Sequence, residues 1–194
     1  MRIIRAADCL TMPWKNGGGS TTEIAISPEG ASLDDFDWRI SMAHVGSDGP
    51  FSTFPGIERT LAVLAGSGIT LAFGDGGTEQ LAPASLPYSF DGERPLEGRL
   101  IDGPITDLNV MTRRGRWWHK VTRLAAPEDI ALEATSDLLV IVANANGWTL
   151  ATGTGREHLA TGDSVVLDRD ERAMLVPERG GEIYVIALTA EVSI

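Results

Sequence analysis

The sequence predicts an all-β protein built as two small jelly-roll-type β-barrels packed together in one chain. Three observations predict it. Glycine and proline interrupt the 194 residues 22 and 10 times, and the segments between them are short and rich in β-branched residues. The span 36–44 alternates cleanly, with Phe36, Trp38, Ile40, Met42 and His44 on one face and Asp37, Arg39, Ser41 and Ala43 on the other. The second half then repeats the rhythm of the first, with a Gly162-Asp163 turn leading into Ser164-Val165-Val166-Leu167.

Taken in order, the strands are expected at 21–26, 36–45, 60–64, 69–73, 107–112, 138–143, 164–167, 173–176 and 183–188. A strand carrying both bulky apolar residues and the Arg39/Ser41 pair borders two environments, a packed core and a polar cavity or solvent. The same period places Asp107, Asn109, Met111 and Arg113 together, opposite Leu108, Val110 and Thr112. No segment sustains a helical period, and 126–134 holds a short helical turn at most. A break near Ala125-Ala126-Pro127 separates an N-terminal barrel, 1–125, from a C-terminal one, 126–194, with strands free to exchange between the halves.

Composition narrows the partners. A hydrophobic fraction of 43% describes an ordinary globular chain, and a net charge of −11 disfavours nucleic acid, whose phosphates need a basic surface. Arg113, Arg114, Arg116, His119, Lys120 and Arg123 surround Trp117 and Trp118, a mixture that single-strand platforms use. With so many acids available, these arginines are read instead as ion-pair partners beside packed tryptophans. Cys9 is the one cysteine, so no disulfide framework exists; Met1–Ile4 and Arg5 lack the apolar core of a signal peptide, and no run is long enough to span a membrane. A cytoplasmic protein with no membrane partner is expected.

The richest stretch runs from Gly49 to Gly66. It has the glycine spacing of a small-barrel motif that usually holds a metal through two histidines and a glutamate; the residues nearest those positions here are Ser52, Phe54 and Arg59. A hydroxyl, a phenyl ring and a guanidinium cannot hold a divalent cation. The histidines His44, His119 and His158 are dispersed, so no metal and no cofactor is expected. A planar guanidinium suits a carboxylate, which makes Arg59 the leading ligand-binding residue. Lys15 and Asn16 precede Gly17 and Gly18, whose backbone amides offer a second approach to an anion. Arg39, Ser41 and Asn109 complete a polar wall, and Glu23 either orients Lys15 or Arg59 or serves as a general base.

Several motifs in order carry a family resemblance. They are Pro13-Trp14-Lys15-Asn16-Gly17-Gly18-Gly19-Ser20-Thr21-Thr22-Glu23, Asp37-Trp38-Arg39-Ile40-Ser41, Asp48-Gly49-Pro50-Phe51-Ser52, Phe54-Pro55-Gly56 with Arg59, and Asp107-Leu108-Asn109-Val110-Met111 with Arg113-Arg114-Gly115. This pattern resembles the HutD/Ves family of cupin-like proteins, densely in the first half and by barrel rhythm in the second. The resemblance implies a bicupin fold, commonly without metal, and a link to histidine utilisation through a small-molecule binding or regulatory role. The reading is a metal-independent bicupin that binds a small carboxylate-bearing metabolite of urocanate or formylglutamate type and reports or buffers its level. Two alternatives stay open: a metal-free isomerase or lyase in which Glu23 or His44 moves a proton, and a structural dimer with a vestigial pocket. Barrels of this type pair through strands or sheet faces, which leaves a homodimer open as well.

Overall fold

In the computed structural model, which describes residues 1–126, 128–144, 147–152, 155–177 and 181–191, the backbone forms strands and turns with no α-helix among the described residues. The strands are β1 (Arg2–Ile4), β2 (Thr11–Pro13), β3 (Gly19–Ser27), β4 (Trp38–Val45), β5 (Gly49–Pro50), β6 (Ile57–Ala65), β7 (Ile69–Phe73), β8 (Thr78–Leu81), β9 (Tyr88–Asp91) and β10 (Leu96–Leu100). They continue as β11 (Ile105–Arg113), β12 (Trp117–Ala126), β13 (Ile130–Glu133), β14 (Leu138–Ala143), β15 (Trp148–Thr152), β16 (Gly155–Leu159), β17 (Ser164–Asp168), β18 (Arg172–Pro177) and β19 (Gly181–Ala190).

The chain divides into two units, one built on Leu10–Trp118 and the other joining Met1–Cys9 to His119–Ala190. The first holds a six-stranded sheet, β2-β3-β4-β11-β6-β9, and a four-stranded sheet, β5-β10-β7-β8. The second holds β1-β17-β14-β19-β12 and β13-β18-β15-β16. The duplication expected from the turn rhythm is explicit in this order. The run β4-β11-β6-β9 recurs as β12-β19-β14-β17, and β5-β10-β7-β8 recurs as β13-β18-β15-β16, each strand eight elements later. This is the bicupin arrangement of two jelly-roll-type units.

In the first unit an apolar core lies on the inward faces of β4, β6, β7 and β11, with Val45, Leu61, Val63, Leu71, Phe73 and Ile105 all nearly fully buried. Tyr88 and Phe90 stack on each other beside Phe73. The second unit packs Ile141, Trp148, Leu150, Leu167, Leu175 and Ile183 in the same manner. β-Branched and large aliphatic side chains at every second position are what a pleated sheet buries best.

One expectation changes. The span read as a short helical turn, 126–134, contains β13, paired in register with β18 from Ile130↔Leu175 to Glu133↔Arg172; Pro127, at the expected division, lies outside the described residues. Helical geometry appears instead as one 3-10 turn, Ala6–Asp8. The basic segment around Trp117 and Trp118 enters strand β12. Its arginines have acidic or carbonyl partners: Arg114 meets Asp91 and Glu93, Arg116 meets Asp37 at 2.6 Å, Arg123 meets Glu182, and Arg113 donates to the carbonyls of Phe36 and Asp34.

The Gly162-Asp163 turn ties the start of the chain into the second unit. Asp163, 5% exposed, accepts hydrogen bonds from Arg5 Nη1 at 2.9 Å, the Ala6 N–H at 2.9 Å and the Ala160 N–H at 3.1 Å. Charge-assisted bonds to a buried carboxylate are among the costlier ones to remove, because the donors then lose their acceptor. Asp163→Ala is therefore expected to destabilise the protein by about 3 kcal/mol. The shift in urea midpoint at unchanged slope checks this, and a change within error of zero contradicts it.

Candidate functional site

Three neighbouring strands build the floor of a cavity in the first unit. Register sets Asn109 of β11 opposite Ser41 of β4 and Leu61 of β6, Met111 opposite Arg39 and Arg59, and Asp107 opposite Ala43 and Val63. Because side chains alternate across a strand, all of these project to one face. That face carries Arg39, Ser41, Arg59, Asp107 and Asn109, each less than 9% exposed, in an otherwise apolar barrel. The cavity above them measures ≈ 690 Å³, with Trp14, Phe51 and Phe54 among its walls and Lys15, Asn16, Ser47 and Asp48 among its other lining residues. This is a volume suited to a small organic ligand.

The polar groups form two linked sets. Arg59 donates from Nε to Asn109 Oδ1 at 2.9 Å and from Nη2 to the same oxygen, and Asn109 Nδ2 donates to Asp107 Oδ1. Arg39 donates from Nε to Glu23 Oε2 at 2.8 Å and from Nη1 to Ser41 Oγ at 3.4 Å. Glu23 reaches Arg39 from β3, which runs in register with Ser41 at this point and shifts between Glu23 and Ala25, a bulge that changes which face the rest of the strand presents. The Arg59 guanidinium lies 4.9 Å from the Phe51 ring centre and 5.6 Å from that of Phe90, both cation–π distances.

Two glycines make room for these walls. A Cβ on Gly98 of β10 would lie 2.6 Å from the Phe51 ring, so the bare backbone there is what lets Phe51 lie beside Arg59. A Cβ on Gly19 would lie 2.2 Å from the His44 carbonyl and 2.9 Å from the Trp14 ring, and Trp14 Nε1 is fixed by donating to Thr21 Oγ1 at 2.8 Å.

Burial dominates the electrostatics. It lowers the Arg59 guanidinium to about 10, with Asp107 opposing the shift and nearby Arg39 adding to it. It raises the Asp107 carboxyl to about 7, with Arg59 opposing. Asp107 Oδ2 has no hydrogen-bond partner among the described residues.

The candidates from the sequence thus separate. Arg39, Ser41, Arg59 and Asn109 meet on the floor, Lys15 and Asn16 line the cavity, and Glu23 holds Arg39 rather than Lys15 or Arg59. Ser52, Phe54 and Arg59, the three positions nearest the ligands of a metal-bearing barrel, all line the cavity, and their chemistry does not fit a cation. Among the described residues, no three His, Cys, Asp or Glu side chains converge in a way that could hold a metal ion. The glycine loop corrects one expectation: the Gly17 N–H donates to the Trp14 carbonyl at 3.0 Å and the Gly18 N–H to Asn16 Oδ1 at 3.0 Å, so both amides are occupied and neither glycine lines the cavity. His44 is exposed and lies on the opposite face of β4 from Arg39 and Ser41, away from the floor where proton transfer would occur. Asp107 was not read as a site residue, although the alternation that placed Asn109 inward placed Asp107 there too.

The Asp107 carboxyl makes stability depend on pH with a definite sign. The native state keeps this proton up to about pH 7, whereas an unfolded aspartate releases it in the ordinary carboxylate range. The contribution is therefore fully present below about pH 4 and is lost as pH rises through about 7. Asp107→Asn removes this dependence, so its melting temperature relative to the wild type is expected to climb between about pH 4 and 7 and level off above. Calorimetric melts across that range check it, and parallel curves for the two proteins would contradict it.

Comparison with known proteins places this architecture. The HutD family model matches residues 6–185. An uncharacterised 21.2 kDa protein of Pseudomonas putida, encoded in the hutC 3′ region, is 30% identical over 186 residues, covering 93% of each chain. Protein Ves of Cronobacter sakazakii is 38% identical over 104 residues, covering 53% of this chain and 55% of that one. The structure of HutD from Pseudomonas fluorescens SBW25 superposes with a TM-score of 0.84 at 29% identity, covering 98% and 99% of the two chains. A cupin 2 conserved barrel domain protein from Leptotrichia buccalis shares the fold at 9% identity, with a TM-score of 0.58. With the match running from residue 6 to 185 over a duplicated cupin-like fold, the chain belongs to the HutD family.

Proposed function

We propose that the first unit binds a small carboxylate-bearing metabolite without a resident metal, Arg59 gripping the carboxylate and the aromatic walls holding the rest. The observation that carries this reading is the contrast between the two halves of the duplication. In the first, Arg59, Leu61 and Val63 of β6 lie opposite Met111, Asn109 and Asp107 of β11. In the second, Leu139, Ile141 and Ala143 of β14 lie opposite Ala187, Val185 and Ile183 of β19, all of them packed in or against the apolar core of that unit. Where β6 and β11 turn Arg59, Asn109 and Asp107 to the inner face, these paired residues of β14 and β19 turn only aliphatic side chains to theirs. The same strand arrangement thus closes over aliphatic side chains, so the fold itself does not require a polar floor.

Burying a guanidinium and a carboxyl costs several kcal/mol before their attraction returns any of it, about what a well-packed apolar replacement avoids. Such groups persist where a ligand uses them. Arg59 Nη1 makes no described hydrogen bond within the protein, so one edge of the guanidinium fork remains for an acceptor in the cavity. Trp14, Phe51, Phe54 and Met111 give the remainder of the ligand an apolar, largely aromatic surface. A carboxylate on a planar or apolar body fits this lining, with Lys15 and Asn16 available to its outer end. Family membership supplies the candidates: acids formed as histidine is broken down, urocanate and formylglutamate among them, with binding serving to report or buffer their level.

Thermal-shift titration with these two acids and with neutral analogues tests the proposal. Urocanate or formylglutamate is expected to raise the melting temperature, and Arg59→Ala to weaken binding by about a hundredfold or more with the fold intact by circular dichroism. Arg59→Lys keeps the charge but not the planar fork and is expected to recover only part of the loss. An acid that binds Arg59→Ala as tightly as the wild type would remove Arg59 from the site, and a screen in which no carboxylate binds would remove the proposal.

A further inference from the structure

We propose that a carboxylate docking on Arg59 enters the cavity together with one proton, which Asp107 takes up. The inference rests on the anion-pocket reading and adds to it a residue that acts through Arg59 and sets the charge the site will accept.

The geometry assigns this role by counting charges. Around the floor, β4 contributes Arg39, which is matched by Glu23 of β3 at 2.8 Å. β6 contributes Arg59, and β11 contributes Asp107, joined to it through the Asn109 side chain. Glu58 of β6 and His44 of β4 sit on the opposite faces of their strands and do not line the cavity. Lys15 and Asp48 line it from exposed loops, with Asp48 Oδ1 accepting the Leu100 N–H at 2.8 Å. With every group ionised, two guanidinium charges already face two carboxylates, and the floor is neutral.

A ligand carboxylate arriving alone would leave a net negative charge on a floor whose Arg39, Arg59 and Asp107 are each less than 9% exposed, where charges interact far more strongly than in water. Protonating Asp107 restores neutrality and leaves Arg59 to the ligand. Asp107 is built to accept the proton. Its Oδ1 is held by Asn109 Nδ2, while Oδ2 is buried with no hydrogen-bond partner among the described residues; burial outweighs the Ala43 N–H and Asn109, which favour the ionised form. Burial already brings this carboxyl to about 7, so protonation near neutral pH costs little. The proton comes from solvent and ends on Oδ2; no covalent bond to the ligand forms or breaks.

Isothermal titration with urocanate in phosphate and in Tris, whose ionisation enthalpies differ, counts the protons directly. At about pH 8 the wild type is expected to take up close to one proton per acid bound, with apparent affinity falling about tenfold per unit between about pH 7.5 and 9. Asp107→Asn is expected to bind with almost no proton uptake and a flat profile. The wild-type measurement carries the test by itself if that variant does not fold. Binding without proton uptake, or a slope that survives in Asp107→Asn, overturns this inference and leaves the pocket reading standing. No heat with urocanate, benzoate or propionate overturns both.

Discussion

The burial of the Arg59 guanidinium between two sheets is the constraint on which the first unit is organised. A full charge there demands hydrogen-bond acceptors and counter-charge that water would otherwise supply. Asn109 provides the acceptor, Asp107 the counter-charge one step away, and the rings of Phe51 and Phe90 the polarisable walls. Each depends on something further out. The register of β11 against β4 and β6 puts the amide within reach, and the missing side chain of Gly98 gives Phe51 its place. Arg39, the second buried cation, is held by Glu23 and Ser41.

Duplication makes the cost of this arrangement visible within one chain. Both units run the same strand order, and both carry a tightly buried core. In the second, the paired inner-face residues of β14 and β19 are aliphatic, whereas β6 and β11 of the first bring a cation, an amide and an acid to theirs. One unit packs an apolar interior, and the other holds a cavity whose floor is polar. In the ordinary metal-bearing version of such a barrel a cation organises the ligand. Here the positive charge in the cavity is the Arg59 guanidinium, covalently part of the chain, whose planar fork suits a carboxylate.

Much of this was legible in the sequence because it follows from period-two alternation. That pattern put Arg39 with Ser41 and Asn109 with Asp107, and the Gly49–Gly66 spacing brought Arg59 to the same wall. What escaped were features set by register and by side chains binding backbone. Asp107 reads as one of many acids until strand pairing seals it between Ala43 and Val63. Gly17 and Gly18 look like free amides until the Trp14 carbonyl and the Asn16 side chain occupy them. β13 was missed because its four residues, Ile130-Ala131-Leu132-Glu133, fit either a strand or a helical turn, and only pairing with β18 decides between them. β16, Gly155-Arg156-Glu157-His158-Leu159, is exposed at all but its last residue and carries no alternation to read.

The central claim is that the polar floor serves a ligand and not the fold. It is tested most directly by giving the first unit aliphatic side chains of the kind the second one packs, in the triple variant Arg59→Leu, Asp107→Ile, Asn109→Val. The quantity to measure is its unfolding free energy in denaturant alongside its affinity for carboxylates. The account predicts a protein at least as stable as the wild type that no longer binds any acid the wild type binds, as expected when a buried charged set is replaced by packed aliphatic groups. A variant that loses several kcal/mol of stability, or one that binds as before, would contradict it.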